Sequence, residues 1–232
     1  MQMKTLVVFS TALMALGFAS AVQAQTPTPA PPPQPPQFPD MTFFISSAPG
    51  PDGANFGGID GADKHCQALA AKAGAGGKTW RAYVSQQEMD GKPAVNAKDR
   101  IGKGPWSNAA GTRVAANVDD LHNSYKNIID TDTGLAETGK KVPSRAFLIN
   151  QHDILTGTMA DGTAPPPGKD LTCGNWTKGG DGSAMVGHHD RQGLQDDAPA
   201  RSWNASHPSR GCSNPQLRAS GGNGLLYCFA AN

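Results

Sequence analysis

Four cysteines constrain this chain more than any other residues. Cys66 lies in a run of helical spacing, GADKHCQALAAKAG, and Cys228 in an apolar segment, LLYCFAAN. Cys173 and Cys212 lie between them, in LTCGNWT and HPSRGCSNP. An even cysteine count behind an export leader reads as a disulfide framework. Four cysteines allow three pairings, and spacing alone does not choose among them. Context favours a nested pattern, Cys66–Cys228 outside and Cys173–Cys212 inside, so that the outer bridge ties the first helix to the last strand. In the chain-entropy model each bridge contributes at most roughly 4–5 kcal/mol. Such a frame suits a binding module.

The leader itself is read from residues 1–24. Met1 to Lys4 form a short, weakly basic start, Leu6 to Ala21 are apolar and rich in small residues, and Val22-Gln23-Ala24 offers small residues at the cleavage positions. This is the pattern of a secretory signal peptide cut after Ala24. The apolar run, about 16 residues, is short for a span that needs about 20, so no membrane segment is expected once the leader is removed. No cysteine follows the cleavage position to take a lipid. The short, Ala-rich leader looks bacterial, so the expected location is secreted or periplasmic. In that setting the glycosylation sequons Asn175-Trp176-Thr177 and Asn204-Ala205-Ser206 are chance matches.

Residues 25–39, QTPTPAPPPQPPQFP, carry proline too densely for helix or central strand and read as an extended linker. The remainder, 40–232, has the size of one domain and shows no internal repeat. The chain has 20 Lys and Arg against 19 Asp and Glu, and losing Lys4 with the leader leaves 19 of each. That balance argues against nucleic acid as the main partner, because phosphate binding needs a clustered basic face. With 28 Gly and 19 Pro, the domain is expected to be loop-rich, with a modest core held by its bridges.

The fold class reads as α+β. Met41–Ser47 and Trp80–Ser85 are β-rich runs, and Ile59–Ala73 has Ala62, Cys66, Leu69 and Ala73 at helical spacing. Asp60 is the expected N-cap and Gly74 the stop. Ser183–Val186 and Leu225–Phe229 read as late strands, 150–182 as turns, and 86–145 resists assignment. Trp80, Trp106 and Trp176 are expected in the core.

The ordered pieces carry a resemblance. A strand is followed by GxxGADxxCQ, WRAYVS, a Pro-Trp after a charged run, Cys-x-x-Trp-Thr, SAMVGHHD, GCSN and a terminal YCF. Over residues 56–230 this resembles the C-type lectin-like fold in its endostatin-like variant. It also resembles bacterial secreted proteins loosely called lectins or endostatin-like proteins, which share NQHDILTG, GHHDRQG and SWNASHPSRGC. The resemblance implies a C-type lectin-like (endostatin-type) domain with mainly antiparallel sheets, one or two helices and the nested bridges. It does not carry over the calcium-dependent sugar site. Such lectins use Glu-Pro-Asn or Gln-Pro-Asp with Trp-Asn-Asp, whose oxygens serve both calcium and sugar. Here Trp203-Asn204-Ala205 lacks the final carboxylate and the other tripeptide does not occur. Nor is an arginine cluster for heparin visible.

Polar segments supply the site candidates. In Gly187-His188-His189-Asp190-Arg191, residues His188, His189 and Asp190 are candidate metal ligands. Adjacent side chains on a strand point to opposite faces, so one histidine of the pair would instead join His152, Asp153 or His207. Asn150-Gln151-His152-Asp153 is a fan of donors and acceptors, and Trp203 is a ring that could stack on a sugar or fill a core. The expected ligand surface comprises His152, Asp153, His189, Asp190, Trp203, Asn204 and His207, with no catalytic residue, no bound metal and no cofactor. No GxSxG elbow, HExxH helix or phosphate loop occurs. The leading functional expectation is a secreted or envelope recognition module that binds glycan without the usual calcium site. A protein-binding matrix module and a metal-dependent hydrolase using the His/Asp cluster are the alternatives, and the partner is a glycan or an extracellular or envelope protein.

Overall fold

The computed structural model describes residues 1–3, 36–123 and 126–231. The signal peptide expected over 1–24 and the linker expected over 25–39 therefore lie outside the described residues, apart from 1–3 and 36–39. Residues 1–34 and 35–232 are separate compact units. Among the described residues every helix and strand belongs to the second. Its first described residues are already tied down. Phe38 donates its N–H to Ala73 O at 2.7 Å and packs on the core beside the first helix.

That helix, α1 (Ile59–Lys72), buries Ala62, Cys66, Leu69 and Ala70, a single apolar stripe. Its cap is Gly58, without a side-chain bond, in place of the expected Asp60, which sits in the first turn. Gly74, at φ +78°, follows its end. Asp63 is buried on the same helix and accepts from Arg81 Nη1 at 2.6 Å, Ala82 N at 2.9 Å and Arg100 Nη2 at 2.7 Å. This carboxylate fixes α1 against the next strand.

The sheet is organised by one long strand, β8 (Gly222–Ala230). Its second half pairs antiparallel with β1 (Phe43–Ile45) and with β2 (Trp80–Ala82). Its first half pairs parallel with β5 (Asp153–Leu155), which pairs antiparallel with β6 (Met185–His188), and that strand with β7 (His207–Pro208). A separate two-stranded sheet joins β3 (Trp106–Ser107) and β4 (Arg113–Ala115). Strict alternation on β8 divides two cores. Leu226, Cys228 and Ala230 face α1, Trp80 and Trp176, while Leu225, Tyr227 and Phe229 face Trp106, Ile101 and Trp203. The three tryptophans expected in the core are each at most 1% exposed.

Shorter elements complete the frame. The region 86–145, unassigned from sequence, holds a 3₁₀ turn at Ala97–Asp99, the β3–β4 hairpin and α2 (Val118–His122). α3 (Cys173–Trp176) is a single turn in which all four residues have positive φ, with Thr172 accepting from Asn175 N at its start. α4 (Asn214–Ser220) begins on a capping box between Ser213 and Gln216 and ends at Gly221, φ +118°. Cys66–Cys228 joins α1 to β8, and Cys173–Cys212 joins α3 to the approach of α4. The architecture is thus α+β, mostly antiparallel, with two disulfides in the nested arrangement. Among the described residues no helix is long and apolar enough to cross a membrane.

Candidate functional site

The pairing of β5 with β6 sets Asp153 directly across from His188 and Leu155 across from Val186. Leu155 and Val186 enter the core on the α1 side. The same alternation places Asp153 and His188 on that face, one step beyond the apolar packing. β7 adds His207 opposite Val186, and His152 precedes β5. Three imidazoles thereby gather on one carboxylate oxygen. Asp153 Oδ1 is 3.1 Å from His152 Nε2, 3.3 Å from His188 Nε2 and 3.6 Å from His207 Nε2. The His152 and His188 rings stack at 4.2 Å and 15°, and Ser206 Oγ lies 3.1 Å from His188 Nε2.

Behind this group stands Asp190. Its carboxylate accepts from His152 Nδ1 at 3.1 Å and from the backbone N–H of Arg145 at 2.8 Å and of Gln192 at 3.1 Å. Burial alone would lower the His152 pKa, but the carboxylates of Asp153 and Asp190 on its two sides outweigh it and lift it to about 9. Burial would raise Asp190, but His152 and the Arg145 N–H outweigh it and hold the carboxyl down at about 2. Asp153 is likewise lowered, since His152 and His188 overcome its burial. His152, Asp153 and His188 each offer one ligand atom within 4.8 Å of the other two, a spacing that can hold a metal ion.

The histidines form part of an open cleft of about 550 Å³. Its walls include Arg145, Arg210 and Arg218, with Asn150 and the exposed Leu194. Arg210 and Arg218 come from the segment around α4, Arg145 from the loop before β5. None of the three guanidiniums has an ion-pair partner among the described residues. The one carboxylate in the wall, Asp197, accepts from Ala200 N at 2.9 Å. The cleft is therefore a cationic trough with a His/Asp group in it.

Four of the expected site residues stand elsewhere than on a shared ligand surface. His189 is fully buried and turned away from the cleft, with Nε2 3.4 Å from Pro143 O, and burial lowers its pKa. Strand alternation decides this, and His188 is the histidine of the pair that joins the group. Asp190 is 4% exposed and braces His152 from behind. Trp203 is 3% exposed and packs on Tyr83 at 4.7 Å and Tyr227 at 5.1 Å, so its ring is closed to a sugar. Asn204, 1% exposed, donates to Tyr83 Oη at 3.0 Å and to Met159 O and Ala160 O at 3.2 Å. Its amide is consumed inside. His152 and His207 each lie against the buried Asp153, at 3.1 and 3.6 Å.

The arginines carry no signal in the sequence. Residues 145, 210 and 218 are scattered along the chain, and the packing of β5 and α4 on β8 gathers them. No family model matches the chain, and no curated protein matches it in sequence.

Proposed function

We propose that the domain is a recognition module of C-type lectin-like type that binds an acidic glycan in the cleft. The trough of three guanidiniums carries this reading. A sugar bearing carboxylate or sulfate finds guanidinium donors in Arg145, Arg210 and Arg218, of which Arg145 Nη1 also serves Gly193 O and Arg218 Nε serves Asn223 Oδ1, and hydroxyl partners in Asn150 and His207. The loop between Arg145 and Asn150 exposes Phe147, Leu148 and Ile149, apolar surface suited to the C–H faces of sugar rings. The sheet built on β8, the helix bridged to it and the second bridge support the lectin-like assignment. Nothing in the Asn204 environment leaves an amide for calcium, so the binding proposed is calcium-independent.

The test is binding of uronate-bearing and sulfated oligosaccharides against neutral ones, in chelator. We expect acidic sugars to bind selectively. Arg210→Ala with Arg218→Ala, both on exposed side chains, should weaken binding by about tenfold or more, the range of lost charge-assisted hydrogen bonds, with little change in Tm. Equal binding of neutral sugars, or no effect of the double variant, would overturn the reading.

A further inference from the structure

We propose that His152, Asp153, His188 and His207 form a binding site for a divalent transition metal of the zinc type. This goes beyond the glycan reading and rests on different observations.

The first is the spacing. Zinc holds imidazole nitrogen and carboxylate oxygen at about 2.0–2.2 Å, so neighbouring donor atoms around a tetrahedral ion stand about 3.3–3.5 Å apart. The three nitrogens stand 3.1, 3.3 and 3.6 Å from Asp153 Oδ1.

The second is the commitment of the far ring nitrogens. His152 Nδ1 faces Asp190 Oδ1 at 3.1 Å, His188 Nδ1 faces Ala200 O at 2.7 Å, and His207 Nδ1 faces Pro208 O at 3.1 Å. An acceptor at each Nδ1 keeps a proton there. The Nε2 lone pairs are then directed at the group: those of His152 and His188 belong to one set of donors with Asp153, that of His188 with Ser206 Oγ also at 3.1 Å, and that of His207 stands 3.6 Å from Asp153 Oδ1. A carboxylate behind one ligand histidine and backbone carbonyls behind the others are the usual outer supports of a metal site.

The third is a buried carboxylate without an aligned hydrogen bond. Asp153 is 2% exposed, and neither of its side-chain oxygens has a hydrogen-bond partner. The His152 contact at 3.1 Å is close enough but lacks hydrogen-bond alignment. Donor atoms that share an ion aim at its centre and not at one another, which gives this combination of short distance and poor alignment. The imidazoles are its charge partners, but a cation among the donors would give this buried carboxylate the aligned contact that both its oxygens lack.

The donor set selects the metal. Three imidazoles and one carboxylate suit zinc, cobalt or nickel, whereas calcium requires six to eight oxygens. His207, its side chain 40% exposed, stands on the cleft side and provides the entry path.

The experiment uses untagged protein stripped with chelator and titrated with Co²⁺ alone, followed by Zn²⁺ competition. We expect one Co²⁺ per chain, with the strong visible absorption of a four-coordinate ion, displaced by Zn²⁺. Asp153→Asn and His188→Gln should each weaken binding about 100-fold or more. Asp190→Asn, which touches no ion, should weaken it about 10- to 100-fold while keeping the spectrum. His65→Gln, outside the group, should change nothing. Folded wild-type protein that takes neither ion, or Asp153→Asn and His188→Gln variants that bind as wild type, would overturn the proposal. Should the buried variants not fold, His207→Gln decides: a loss of about tenfold or more supports the four-ligand site, and unchanged affinity refutes it. The titration contains no glycan, and glycan binding is measured in chelator, so either proposal can fail without the other.

Discussion

At the scale of single residues, His152 has the most to say about solution behaviour. In metal-free protein its pKa stands at about 9, against 6.5 for the ordinary side chain. A raised pKa means that the folded state holds the proton more tightly than the unfolded state. Its contribution, about 2–3 kcal/mol, is full below about pH 6 and is lost as pH rises through about 9. Denaturant melts in chelator should therefore show the wild type losing stability from pH 6 to 9.5, with the slope largely absent in His152→Gln. Trp203 gives a second expectation. Its ring fills the core face of Tyr83 and Tyr227, so Trp203→Ala should cost about 3–5 kcal/mol in calorimetry. An unchanged Tm would show that the ring is not packed there. Its local sequence, SWNASH, is polar on both sides and gives no sign of burial. What buries it is contact with Tyr83, more than a hundred residues earlier, and with Tyr227 on β8. The divergence of His188 and His189, by contrast, is legible, because period-two alternation is a local rule.

Elements show where local rules suffice. α1 and the centre of β8 are readable because apolar spacing there matches a single period over a whole element. β5 is only three residues long, Asp153–Leu155, between polar stretches, and its sequence reads as turn. α4 escapes a sequence reading although Ser213 and Gln216 stand at capping-box spacing, since only Leu217 of its residues is a buried apolar. Two elements can be broken at single positions. On β6 a Cβ at Gly187 would fall 1.8 Å from the carbonyl oxygen of Trp203. Gly187→Ala should therefore cost about 1–3 kcal/mol or more and disturb His188, readable as a lower Tm together with weaker Co²⁺ binding. In α3, the Asn175 side chain accepts from Gln87 N at 2.8 Å and donates to Gln87 O at 3.0 Å. Asn also tolerates the left-handed backbone of that turn, φ +54°. Asn175→Ala leaves both buried backbone groups unpaired and should cost about 2–4 kcal/mol, by denaturant titration.

For the molecule as a whole, the bridges set the stability. The sequence separations are 162 and 39 residues, for which loop entropy gives about 5 and about 4 kcal/mol as upper bounds. Non-reducing peptide mapping should find Cys66 with Cys228 and Cys173 with Cys212, and the Cys66→Ser/Cys228→Ser pair should lower stability more than the inner pair. The pairing is legible because each cysteine sits in a segment of recognisable type. The cleft is not, because its cations come from three distant stretches. The position of β8 has a consequence in time. The strand that β1, β2 and β5 all pair with is the last one in sequence, residues 222–230. Until that segment is available, the earlier strands have no common partner, and Cys66 has no mate. The domain therefore closes only once residues 222–230 are in place, and with them the bridge from Cys66 to Cys228.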